Sequence, residues 1–331
     1  MKKVLLYCGV IFTILLGSCG TISDSQDVEQ ITIADYKGKQ IVGKNIFSRI
    51  DTLVLLSKED WPMGQIKSAC KSDSVLYLLD EANSIFCFDM KTGLVKNKIH
   101  SIGNAQNEYT ALDVICMKDG KLVALDMNGM SVLVFSSNLN FEKRFHLNFP
   151  CLDIVPVKEG FLAFNLNASR EKKSVVLLDD NFQEVNSYMD SSFGEHFMPS
   201  SKFFTQTNDG AYFISSKQDD IYQWKADSLK LAYRIDIPSQ NAQDGKNRKT
   251  ISFFKIRDKV ISAFLSGEMV CFNFYKNGKS SSGIVLLENN LPFMPMFQVD
   301  DVLYSIVPVR FKQKNKYVNG YRKEAMLIMY R

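Results

Sequence analysis

The chain is poor in the residues that most often announce a chemistry. Its 331 residues include three histidines, and no two stand at an HxH or HxxxH spacing. A zinc site built from sequence-local pairs is thereby excluded. There is no GxSxG elbow and no Walker loop, which removes the familiar hydrolase and nucleotide-phosphate signatures. Charge of one sign is not in excess either: 40 Lys and Arg face 36 Asp and Glu, a formal net charge of +4. A dedicated nucleic-acid binder would carry a dominant basic surplus. No long helical periodicity runs through the sequence, which leaves strands to supply the fold.

What is present begins at the N-terminus. "MKKVLLYCGVIFTILLGSCG" has a positive start at Lys2 and Lys3, then an apolar run from Val4 to Leu16 that is too short for an ordinary membrane span. Its end, "LLGSC", resembles the lipobox of bacterial lipoproteins. That resemblance implies a signal peptide over residues 1–18, cleavage of the Ser18–Cys19 bond and lipid attachment at Cys19. Such an anchor would hold the protein at the cell envelope, on the outer membrane, since more than one acyl chain gives stable tethering. Residues 20–35 are polar and acidic, so residues 19–49 are expected to be anchor and spacer.

Without Cys8 and Cys19, five of the seven cysteines remain: Cys70, Cys87, Cys116, Cys151 and Cys271. They are odd in number, lack a CxxC, and each lies in or beside an apolar run. Small buried hydrophobes is the expected role. A Cys70–Cys116 bridge is conceivable, but nearly 300 residues can build a core without one.

From residue 50 onward a short β-rich pattern recurs. The segments "VLYLLD", "KLVALD", "GFLAFN", "GAYFIS", "KVISAF" and "DVLYSI" end at 80, 126, 165, 215, 264 and 306. Each is followed by a second run, such as "SIFCFD" or "SVLVFS", and preceded by a third, such as "QIKSAC" or "KFFTQT". Four strands in a period of roughly 40–50 residues is the pattern of a β-propeller, and six periods make six blades. The last unit ends at Arg331 one strand short, while "IDTLVLLS" (50–57) stands spare before the first. The expected fold is therefore an all-β six-bladed propeller over residues 50–331, with four-stranded antiparallel blades. Its N-terminal strand completes the last blade, which leaves no open edge.

These segments, with the blade-one run "VLYLLDEANSIFCFDMKTGLV" and the joint "IGNAQNEYTALDV", resemble the six-bladed propeller lipoproteins of the TolB-like superfamily. Members typically carry Gly-x-Gly-Pro-Gly-Glu-Tyr at the joint. Gly103, Glu108 and Tyr109 match it here, while Ala105, Gln106 and Asn107 replace the Gly-Pro-Gly. The resemblance implies architecture and export, not one activity. Glu108 and Tyr109 are expected to brace the joint between blades.

In such a ring the second-to-third loops and the blade-to-blade joints emerge on one face. Three basic stretches fall there: Arg170, Lys172 and Lys173; Lys246, Arg248 and Lys249; and Arg310, Lys312 and Lys314 with Tyr317 and Tyr321. Basic side chains and tyrosines suit an acidic glycan or another anionic partner. His100, His146 and His196 fall towards the same face, but on blades that splay apart, so no metal or other cofactor is expected. The expected role is a membrane-tethered binding or scaffold module for a glycan or an envelope protein. A carbohydrate lyase or hydrolase with its site at the channel mouth is the alternative.

Overall fold

In a computed structural model the apolar repeats close into a ring of six sheets. The structure describes residues 28–166, 173–189, 202–215, 219–238, 250–266, 269–287, 291, 293–313 and 316–331. Each blade starts with an inner strand: Ile66–Lys71, Leu112–Lys118, Cys151–Val157, Phe204–Thr207, Thr250–Ile256 and Phe297–Val299. Three further antiparallel strands follow outwards in every blade.

The uninterrupted apolar run of each second strand has a simple cause. Leu76 and Leu78 pack into the core shared by blades six and one, whereas Tyr77 and Leu79 pack into the core shared by blades one and two. A strand covered on both faces has no polar side to show. The same holds around the ring, with one apolar cluster between each pair of neighbouring blades among the described residues. Each fully buried leucine in these seams contributes about 1.5–3 kcal/mol relative to exposure.

Closure occurs as the spare strand demands. Ile50–Leu56 pairs antiparallel with Lys316–Tyr330, Ile50 opposite Tyr330 and Leu55 opposite Ala325. The last residue is stitched in as well: Ser48 N–H donates to the Arg331 carbonyl at 2.8 Å, and Arg331 N–H donates to Arg49 O at 2.9 Å.

The expected spacer needs correction from residue 28 onward. Glu29–Thr32 adds a parallel fifth strand to blade four, beside Ser228–Asp236, and Gln40–Val42 does the same for blade five beside Lys279–Leu286. The period-two pair Ile31 and Ile33 is buried against Tyr212, Tyr233 and Phe253, which a polar average over residues 20–35 conceals. Gly283 permits the docking, because a Cβ there would stand 2.6 Å from the Lys39 carbonyl oxygen.

Candidate functional site

The inner strands surround a cavity of about 700 Å³ along the ring axis. In four blades the inner strand carries a β-bulge at its start, between Ile66 and Ser68, Leu112 and Val114, Cys151 and Asp153, and Thr250 and Ser252. A bulge re-aims the side chains around it, and Lys67 and Ile251, the extra residues in blades one and five, line the cavity.

Two charged residues of the wall belong together. Asp153 is buried; its Oδ2 accepts N–H bonds from Phe203 (2.6 Å) and Phe204 (2.9 Å), and Oδ1 accepts one from Ile154 (2.9 Å). Burial nevertheless pushes its carboxyl up to about 6, against the pull of those amides and of Lys202. Lys202 reaches across the channel and donates to the Met296 carbonyl at 2.9 Å. The residue is half-buried. Burial lowers its pKa, and Asp153 and Cys70 only partly oppose the shift. A second lysine, Lys67, donates to Asn83 Oδ1 at 2.8 Å. On the far side Gln298 knits blade six to blade five, accepting from Lys255 N–H at 3.0 Å and donating to Asp300 O at 2.9 Å.

The joint over residues 100–111 is built as a brace. Tyr109 is fully buried, donates its hydroxyl to Asn83 O at 2.8 Å and accepts Ser101 N–H at 3.1 Å; burial pushes the phenol up to about 12. Glu108 turns back to accept Ala105 N–H at 2.9 Å, over a Gly103 whose missing Cβ would lie 2.0 Å from the carboxylate. Asp126, the last residue of "KLVALD", accepts from Thr110 N and Oγ1, Ala111 N and Gly129 N. Asp80 plays the same part in blade one, accepting Gly64 N–H and Ser84 N–H, each at 2.8 Å. The shared Asp in the aligned repeats was the sequence signal for these posts.

The basic face is less fully placed. Lys173 is half-buried and its carbonyl accepts from Asn165 Nδ2 at 3.3 Å. Arg170, Lys172, Lys246, Arg248, Lys249 and Lys314 lie outside the described residues, as do Cys19 and His196. Arg310, Lys312, Tyr317 and Tyr321 lie in strands whose backbones pair, Lys312 opposite Tyr317 and Arg310 opposite Asn319, but their side chains lie outside the described part. His100 Nδ1 stands 3.3 Å from Ser84 Oγ in blade one, and His146 pairs with Ser131 in blade two. Among the described residues no three His, Cys, Asp or Glu side chains gather as metal ligands. The five cysteines there are free thiols, four buried and Cys70 half-buried. Cys70 packs in the seam between blades one and two and Cys116 in that between two and three, so a disulfide between them has no support from their packing.

Six radially arranged antiparallel blades, an axial cavity and a strand-exchanged closure define a six-bladed β-propeller. The chain belongs to the DUF4934 family, a domain of unknown function, which it matches over residues 28–326. Among solved structures it is similar to a Bacteroides fragilis NCTC 9343 protein assigned as exported, at 12% identity and a TM-score of 0.69, covering 91% of this chain and 99% of that one. A member of the DUF4221 family from Bacteroides vulgatus ATCC 8482 is similar at 8% identity and a TM-score of 0.50, covering 85% and 96%. At these identities the likeness is one of fold. No curated protein matches the chain significantly.

Proposed function

We propose that the protein is an exported, lipid-anchored propeller that acts as a non-enzymatic binding module at the cell envelope, with the joint face meeting a glycan or a protein partner. The observation that carries this reading is the inequality of the two faces. On the joint face the middle hairpin of blade six outruns its blade: its strands span 12 and 15 residues, and the ladder continues past a bulge at Pro308 and Val309 to Gln313 opposite Lys316. That ribbon bears Arg310, Lys312, Tyr317 and Tyr321. The opposite face is trimmed to tight turns whose charges pair with one another, Lys118 with Asp180, Arg257 with Asp301 and Lys276 with Asp258. A surface whose charges are mutually satisfied has little left to offer an ionic partner.

Tethering through Cys19 to the outer membrane and kinship with the TolB-like superfamily form part of the same reading. They rest on "LLGSC" and on Gly103, Glu108 and Tyr109, and the exported assignment of the Bacteroides fragilis neighbour is consistent with them. Against an acid–base role, the Asp153 oxygens are already engaged by three backbone amides.

Two measurements test the proposal. Cys19→Ala should move the protein from the membrane pellet to the soluble fraction, and retention in the pellet would remove the anchor. Acidic and neutral glycans screened at low and high salt should show binding to the acidic set that fades with salt. Salt-insensitive binding, or none, would remove the basic face.

A further inference from the structure

The axial cavity lies apart from the joint-face ribbon, and the register of the inner strands sorts its wall into layers. At the opposite face each inner strand turns back through a tight hairpin. In blade one the turn is closed by Ser72 N–H on the Val75 carbonyl. In the others the closing pairs are Lys118–Lys121, Val157–Gly160, Thr207–Gly210, Ile256–Lys259 and Val299–Val302. Two residues before these points stand Cys70, Cys116, Val155, Thr205, Phe254 and Phe297, one from each blade, and all six line the cavity. The next layer towards the joint face, about 3.3 Å away, adds Ile115, Ile154 and Phe204 to the wall. Neither layer contains a charged residue. Among the described residues, charge lines the cavity only beyond them: Lys67, Asp153 and Lys202 at the joint end, Lys71 and Asp300 at the opposite mouth.

We propose that this waist of the axial cavity binds a small uncharged molecule with an apolar body, an aliphatic or aromatic compound held between the two charged ends.

The volume and the wall set the class of ligand. About 700 Å³ is of the size that encloses one small organic molecule. Its middle is apolar, so binding there is driven by removing an apolar body from water. The charges at the joint end already have partners within the wall. Asp153 accepts the amides of Ile154, Phe203 and Phe204. Lys202 donates to the Met296 carbonyl and is held by the charge of Asp153. Lys67 donates to Asn83 Oδ1, and its charge favours the ionised carboxyl of Asp113. An ionic ligand would therefore shed its hydration in the waist without gaining a counter-charge there. A neutral one has no such loss. Thr205 gives access to the site by mutation: it is half-buried in the six-residue layer, so a larger side chain at that position fills the waist.

The purified chain can be titrated with N-phenyl-1-naphthylamine, a dye uncharged at neutral pH whose fluorescence rises in an apolar site. The bound dye is then displaced by decan-1-ol, decanoate or decyltrimethylammonium. Saturable dye binding is expected, with the alcohol competing roughly tenfold better than either ion. Thr205→Trp should weaken the dye and the alcohol by about tenfold. Val185→Ser, which removes an exposed apolar side chain from the outer strand of blade three, should stay within about threefold. Circular dichroism and Tm establish that each variant is folded. If Thr205→Trp does not fold, the preference of the wild-type protein for decan-1-ol over both ions decides. No saturable binding, equal or better competition by an ion, or an unchanged affinity in folded Thr205→Trp would each overturn the proposal. A tenfold loss in Val185→Ser would place the dye on the outer rim and overturn it as well. None of these outcomes bears on the joint-face reading, which is tested by glycan and salt.

Discussion

Arg144, in the outer strand of blade two, lies with Nη2 3.8 Å from the buried carboxylate of Asp126, while its Nη1 donates to Ala105 O at 3.2 Å. Nη2 also bonds the Glu108 carbonyl. One guanidinium thus ties the blade-one-to-two joint to the post that carries it. Arg144→Met keeps most of the side-chain stem but removes both carbonyl contacts and the nearby positive charge. Asp126 retains its backbone and Thr110 donors, so the cost should be towards the low end for a buried charge, about 2 kcal/mol. Urea denaturation with an unchanged m-value would measure it. A loss below about 0.5 kcal/mol would show that the joint holds without the arginine.

Asp153 should leave a signature in the pH dependence of stability. Its carboxyl titrates at about 6 in the folded protein, against about 3.9 in an unfolded chain. Between these values the folded state holds the proton and the unfolded state does not. The group's contribution to stability is therefore full below about pH 4 and is lost as pH rises through 6. Two units of difference correspond to roughly 2–3 kcal/mol. Asp153→Asn, which retains an oxygen for the Phe203 and Phe204 amides, should lack this slope. The measurement is the wild-type-minus-variant difference in unfolding free energy from pH 4 to 7. A flat difference would mean that the carboxyl is not held up by burial.

Tyr109 and Asn83 give a smaller and cleaner test. Tyr109→Phe keeps the buried ring but leaves Asn83 O and Ser101 N–H without the hydroxyl. A loss of about 1–2 kcal/mol is expected from two buried hydrogen bonds, one of them long. Tyr77→Phe, which loses a hydroxyl bond to Ser137 O on the opposite face, should cost about 1 kcal/mol. A larger loss at Tyr77 than at Tyr109 would contradict the special status of the joint.

How much of this was legible in the sequence depends on range. The ring was readable because second strands are buried on both sides, so "VLYLLD" and its counterparts stay apolar without alternation. The closing strand was readable because the count of strands came out one short at Arg331. Local posts were half visible: Asp80 and Asp126 recur at one place in the aligned repeats, yet their partners, Gly64 and Thr110, are loop residues with no pattern. Lys202 was invisible as a channel group. It precedes an inner strand as many surface lysines do, and only the ring geometry turns it inward. Gln298 likewise bonds across a blade boundary that no local period encodes. The docking of Glu29–Thr32 and Gln40–Val42 was missed because four- and three-residue parallel strands carry almost no periodicity of their own.

That docking can be broken without touching the ring. Gly283 lies where the N-terminal segment passes closest to blade five; a Cβ would meet Lys39 O at 2.6 Å and Ile41 Cγ1 at 3.3 Å. Gly283→Val should therefore expel Gln40–Val42 from the edge of Lys279–Leu286, including the bond from Ile284 N–H to Lys39 O. Closure by Ile50–Leu56 lies in another blade and should survive. Trypsin should then cut after Lys39 and Lys44 about tenfold faster, because exposed, unpaired backbone is where proteases act. Far-UV circular dichroism should barely change, and stability should fall by about 1–3 kcal/mol, the usual cost of forcing volume into a filled contact. Mass spectrometry of the fragments would locate the cuts. Unchanged protection at both lysines would show that residues 28–49 are held by Ile31 and Ile33 in the blade-four seam, and not by the blade-five edge.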